Sequence, residues 1–508
     1  MSQQQSLEEA RELLRTGRYD AALARLEGCE EWAPPLNERA FVVRAEIQLR
    51  RDPIDALETL APLGSVFASA DGRFDYYIIS GKAYANARNF ESATQMFDLA
   101  AELAEGVPSG VATLAHHRAR LRYLQGIFDA RDPDFARALE NPDAGARLLT
   151  LVVRAWASAG VGDYRAQIAD LRLAVTLARE HLGQCDFYTL GRALHSLLRV
   201  AAEVGDNEAA DDAEKLFDAI DWTPDLADAQ FLCLRALAWD AFLRGDSAKA
   251  QWLLKDSSAI APSQAWKVTA HVDRAYVARI NRNEAWAADE LAQAQELARG
   301  IAWGETVGEE RQALVTLAAL LAPSDMGRAQ RFVSIYVRLG TQSLDPSLAI
   351  AHDPRAEAFS QYALGRVHRV LDNSAASAAA FEASYRIFDR ADHHFRAALA
   401  AQGLFELTGA AQWQERARAH AANFPNSAFF DFLDSHVSRP ADVSIDGLSP
   451  IQRQLAIAIC EGWDAATLSK RFSRSEFTLQ RETRALFEKL HVRSRAGLRK
   501  ALEGRGLL

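Results

Sequence analysis

Residues 448–508 read LSPIQRQLAIAICEGWDAATLSKRFSRSEFTLQRETRALFEKLHVRSRAGLRKALEGRGLL. Apolar residues recur there at helical spacing in successive runs. Leu455, Ile459 and Leu468 mark the first two, and Leu479, Leu486 and Leu490 mark the third. Ser449-Pro450 is an N-cap followed by proline in the first helical position. Glu461-Gly462 ends that helix, because glycine adopts the left-handed conformation without strain. Thr467 to Phe472 reads as a short second helix. Ser473-Arg474-Ser475 reads as a turn, with Ser475 placed to cap a longer third helix. Two short helices, a tight turn and a longer helix are the parts of a helix-turn-helix.

The third helix decides which face would meet DNA. With Leu479, Leu486 and Leu490 turned inward, Gln480, Arg481 and Arg484 lie on the other side. Arg pairs bidentately with guanine and Gln with adenine in the major groove. Ser475, Thr478 and Lys489 are placed to meet phosphates, which position but do not specify.

The segment resembles the LuxR-type (GerE-like) DNA-binding domain. Leu448, Ser449, Pro450, Leu455, Gly462, Leu468, Phe472, Ser475, Thr478, Leu479, Leu486, Lys489, Leu490, Val492 and Arg495 fit the family pattern. The resemblance places the base-reading positions on Gln480, Arg481 and Arg484. It departs at Gln452, Thr467, Arg474 and Glu482, the last a negative charge near the DNA side. The resemblance also implies binding as a homodimer through the last helix, Arg495 to Glu503, with Leu498 and Leu502 as apolar contacts.

Charge follows the same division. Residues 448–508 hold 12 Lys and Arg against 6 Asp and Glu, whereas residues 1–447 hold 46 against 62. A basic terminal module on an acidic body fits contact with double-stranded DNA by the tail alone.

The body, from Ser6 to about Ala421, is helix after helix with little strand-like alternation, so the expected fold class is all-α. Gly17-Arg-Tyr19-Asp-Ala-Ala22 gives Gly-x-Tyr-x-x-Ala, and Arg88-Asn-Phe90-Glu-Ser-Ala93 repeats it. Gly126-Ile-Phe128, Gly162-Asp-Tyr164, Gly205-Asp-Asn207 and Gly245-Asp-Ser247 follow, with a weaker mark at Arg51-Asp-Pro53. The gaps between these marks run from 34 to 43 residues. That spacing resembles the tetratricopeptide repeat, whose unit is about 34 residues. A small residue turns the chain, an aromatic two positions on plugs the gap, and Ala further on admits the facing helix. Tyr77, Gly81, Tyr84, Phe90, Ala93, Phe97 and Ala100 fill the large and small positions most fully. Pro34 and Pro262 close units. Further corners at 281–288, 323–329, 372–381 and 409–413 bring the expectation to ten or eleven hairpins, coiled into a superhelix with a concave face. Turn-rich stretches at Ala259–Gln264 and Gly340–Ser347 interrupt the array. HVSRPADVSIDG, 436–447, reads as a linker. The expected domains are a repeat superhelix at 1–435, that linker, and the helix-turn-helix at 448–508.

Other function classes find little support. No run of about 18 apolar residues occurs, so no membrane contact is expected. The start, MSQQQSLEEARELLRTG, lacks the apolar core of a signal peptide. Cys29, Cys185, Cys233 and Cys460 form no CxxC and indicate a reduced, cytoplasmic setting. There is no phosphate-binding G-x-x-x-x-G-K-[ST], although one class of large LuxR-type regulators carries an ATPase before its repeats. The adjacent pairs His116-His117, His393-His394, Glu8-Glu9 and Glu309-Glu310 read as helix surface. The chain is therefore expected to be a non-enzyme with no cofactor and no metal site. The leading expectation is a bacterial transcription regulator, its DNA contact controlled by a peptide, protein or small-molecule effector in the repeat groove. The alternative is a protein-binding repeat scaffold whose degenerate helix-turn-helix no longer binds DNA, a reading that Arg474 and Glu482 keep open.

Overall fold

The computed structural model describes residues 2–508 apart from 64–66, 307, 324, 343–353, 430–432, 434–449, 473–475, 491, 493 and 504–508. The chain is all-α, with no strand among the described residues. No described helix is long and apolar enough to cross a membrane. The linker expected at 436–447 and part of the Gly340–Ser347 interruption fall outside the described residues.

Among the described residues, eleven antiparallel helix pairs precede residue 422. They are α1 and α2 (Gln3–Arg15, Tyr19–Arg25), α3 and α4 (Leu36–Gln48, Pro53–Leu60), α5 and α6 (Ala70–Asn86, Phe90–Ala104), and α7 and α8 (Gly110–Leu124, Pro133–Leu139). Next come α9 and α10 (Ala144–Gly160, Tyr164–Glu180), α11 and α12 (Phe187–Val204, Asn207–Asp218), and α13 and α14 (Ala227–Leu243, Ser247–Ile260). The last are α15 and α16 (Gln264–Ile280, Glu284–Arg299), α17 and α18 (Gly308–Leu321, Met326–Gln342), α19 and α20 (Pro354–Val370, Ser374–Arg390), and α21 and α22 (His394–Thr408, Ala411–Ala421).

Every corner read from the sequence falls between the two helices of one pair. The local chemistry explains why. Most corners carry one left-handed residue: Gly17, Arg88, Gly126, Gly162, Gly205, Gly245, Arg282, Asp372 or Gly409. The following Asn or Asp often caps the second helix. Asn89, Asp163, Asp206, Asp246, Asn283 and Asn373 each accept a backbone amide three residues on. Such a cap is worth about 1 kcal/mol. The repeat signature thus holds a stop signal and a start signal side by side. The Ala positions do what their size suggests, since Ala22, Ala56, Ala93, Ala210 and Ala250 are fully buried. At Gly81 an added Cβ would stand 2.4 Å from the Phe97 ring, so the small and large positions of that unit interlock.

Successive first helices lie side by side, from α3 to α5, α7 and α9, and from α15 to α17, α19 and α21. The stack then folds back on itself. Arg15 donates to the carbonyls of Leu182 and Cys185 at 3.2 Å each, and Arg50 pairs with Asp186 at 3.0 Å. Further along, Arg396 pairs with Glu203 at 3.0 Å, and the Ser427 hydroxyl donates to the Phe242 carbonyl at 3.1 Å. Each turn of the coil therefore rests on an earlier one. One large apolar cluster runs from Leu148 through α11 and α13 to Leu433, and the first pairs and α15 to α18 have clusters of their own.

Packing between hairpins corrects the surface reading of His116, His117, His393 and Glu310, while Glu8 is exposed as read. His116 is buried between α7 and α9, its Nδ1 3.1 Å from the Thr150 hydroxyl. Burial lowers its pKa to about 3. His117 stacks on Phe97, and burial pushes it well below its ordinary value too. His393 is buried, and Glu310 is buried with Ser263 donating to it at 2.8 Å.

Candidate nucleic-acid interface

Four helices form the C-terminal module: α23 (Pro450–Glu461), α24 (Ala465–Phe472), α25 (Glu476–Lys489) and α26 (Arg495–Glu503). The helix α23 ends as its sequence suggests. Gly462 is left-handed, and the Trp463 amide returns to the Ala458 carbonyl at 3.2 Å. Two guanidinium groups complete that end: Arg495 and Arg499 both donate to the Cys460 carbonyl, at 3.3 and 3.1 Å. Cations are favoured at a helix C-terminus. Asp464 starts α24 by accepting the Thr467 amide at 2.7 Å, and bonds from Thr467 hold its carboxyl below the usual range. The second helix therefore begins two residues before Thr467, the residue from which the sequence pattern starts it.

The module has two apolar clusters. In one, Ala456, Cys460, Leu486, Leu490, Leu498 and Leu502 meet. In the other, Leu455, Ala458, Leu468, Phe472 and Leu479 close around Met326, with Val370 and Leu371 alongside. Met326, Val370 and Leu371 belong to the hairpin array, so the module is seated on it. The Gln454 side-chain amide donates to the Pro323 carbonyl at the same seam. The sequence pattern gave no sign of this seat.

On α25 the buried stripe is Leu479, Leu486 and Leu490, as the helical spacing requires. Gln480, Arg481 and Arg484 are all exposed on the remaining surface, within one turn of each other. Residues three and four apart on a helix are neighbours, so Arg484 stands beside both of the others. Thr478 is half-buried at the start of the same surface, and Glu482 is half-buried between the arginines in sequence. Lys489 ends the helix about two turns further on, at 3.6 residues per turn. Its side chain and all of Ser475 and Arg474 lie outside the described residues. The structure thus brings Gln480, Arg481 and Arg484 together and sets Lys489 apart from them.

One expectation is overturned. Leu498 and Leu502 have no exposed surface. They fill the module's own core against Leu486 and Leu490, so they are not a face for a second copy. An apolar stripe on a short helix reports that something covers it, not what. Among the described side chains of α26, the exposed ones are Arg495, Ala496, Arg499 and Lys500.

No family model matches this chain, and no curated protein matches it.

Proposed function

We propose that the chain is a bacterial transcription regulator: a tetratricopeptide-like hairpin array joined to a LuxR-type helix-turn-helix that binds promoter DNA. The observation that supports it best is the side-by-side exposure of Gln480, Arg481 and Arg484 on α25, opposite its buried leucines. Those side-chain types read guanine and adenine edges in the major groove. The module's excess of positive charge, 12 against 6, supplies phosphate attraction that the acidic array lacks. In this reading the array holds an effector, and the seat of the module on α18 carries the message. The expected setting is the cytoplasm, with no catalytic step.

A second reading draws on the seat itself. The module spends Leu455, Leu468, Phe472 and Leu479 on the array, as a docked cap would in a protein-binding scaffold. Salt separates the two. A protein that neutralises several phosphates loses affinity with salt, log K falling by about 0.9 per contact per log unit. Binding of a duplex from the cell's own genome is measured across salt concentrations. A slope of several units, lost on Arg481→Ala with Arg484→Ala, supports the regulator. No measurable duplex binding at low salt supports the scaffold.

A further inference from the structure

A cavity of about 700 Å³ lies along the inner helices α15, α17, α19 and α21 of the array. Sites for small organic ligands have that size. Four arginines line it, Arg279, Arg282, Arg366 and Arg369, against two carboxylates, Glu284 and Glu406. Glu406 is engaged by Arg369, and Glu284 lies 3.9 Å from Arg279.

Arg366 stands apart. Its guanidinium donates to the Tyr362 hydroxyl at 3.3 Å and meets no carboxylate among the described residues. The groups that act on its proton are the Tyr362 phenol, burial, and the Tyr276 phenol. Arg279 feels the same field: burial, then Arg366, holds its pKa below the ordinary value. A guanidinium stays charged at any working pH. Arg366 is half-buried at the cavity wall, and an anion placed beside a partly desolvated charge that lacks a counter-ion relieves its cost.

We propose that this cavity binds a small organic anion, its phosphate or carboxylate head held by Arg366, Arg279 and Arg282. The proposal rests on the reading of the array as a sensor and names the class of its effector. The guanidinium fork matches the paired oxygens of both head groups. Tyr362 adds a neutral hydroxyl, and Ile280, Leu320 and Leu399 offer an apolar wall to the rest of the molecule. Two further wall residues belong to the module's seat. Pro323 accepts the Gln454 amide, and Val370 packs beside the cluster around Met326. An occupant of the cavity therefore borders the contacts that hold the module, and its binding biases them.

The full chain is titrated by calorimetry, without DNA, using pyrophosphate, glucose 6-phosphate, citrate and uncharged glucose as probes. Saturable binding of at least one anion, and none of glucose, is expected. Arg366→Met keeps the apolar stem and removes the charge. It should weaken binding at least about tenfold, the range of a charge-assisted hydrogen bond, without lowering the unliganded melting temperature. Arg282→Ala, at an exposed corner, should weaken it by a smaller factor and serves as the variant least able to disturb folding. Preference for the phosphates or for citrate identifies the head group. Failure of every anion to bind at millimolar concentration, or equal affinity in wild type and both variants, overturns the site. Anion binding in a protein that retains no DNA would overturn the regulator and leave the site standing.

Discussion

Gln454 of α23 donates its side-chain amide to the carbonyl of Pro323, 131 residues earlier in the chain. That bond lies at the edge of an apolar seat whose centre is Met326, 2 % exposed. Burying a methionine side chain contributes about 1.5–3 kcal/mol. A contact of this size holds a small module without welding it.

Met326→Asp should therefore release the module while leaving both parts folded. A carboxylate has no partner in that cluster and would be driven to solvent. Hydrogen exchange of the amides from Leu455 to Phe472 is expected to quicken, with α11 and α13 unchanged. Unchanged exchange in both regions would show that the seat does not hold the module.

Gly245 tests the folding back of the coil. The residue is left-handed, and an added Cβ would stand 2.2 Å from the Asn426 carbonyl. Gly245→Ala meets backbone strain and a clash together, a cost of about 2–4 kcal/mol. Phe424 to Phe429 should lose protection from proteolysis first, because Ser427 bonds to Phe242 at that point. A variant as resistant as wild type would mean the contact yields freely.

Asp75 gives a pH signature. Burial, opposed by the nearby Arg11 guanidinium and aided by the Glu46 and Asp71 carboxylates, raises its carboxyl to about 6. A raised folded pKa means stability is full below the unfolded value near 4 and falls as pH rises through 6. Above that, the folded protein carries a constant penalty. Asp75→Asn should raise the melting temperature by about 2 °C at pH 8, and the gain should shrink through pH 6 and vanish near pH 4. A gain that does not change with pH would show that the carboxyl is not the cause.

These examples divide what a sequence reveals from what it hides. The corners were legible because their chemistry is local: a left-handed residue and an Asn or Asp cap lie within three positions, as at Arg88-Asn89 and Gly162-Asp163. The exposed trio on α25 was legible for the same reason, since helical periodicity alone opposes Gln480, Arg481 and Arg484 to Leu479 and Leu486. Burial by distant segments was not. His116 and His117 are adjacent on one helix and look like surface until α9 covers His116. Leu498 and Leu502 look like a face awaiting a partner until Leu486 fills it. The pairing of Arg396 with Glu203 spans 193 residues, and no local pattern announces it. The arginine-lined cavity needs four helices to be brought together, so its residues are scattered through the sequence from Tyr276 to Glu406.

The central claim is that the surface of α25 reads DNA. Intact protein and the Arg481→Ala, Arg484→Ala double variant are each used to capture fragments of the source genome, and the bound fragments are sequenced. The account predicts a discrete set of fragments with wild type and loss of that set with the variant, while helical content stays the same. Capture of nothing by wild type, or of the same fragments by both proteins, would contradict it.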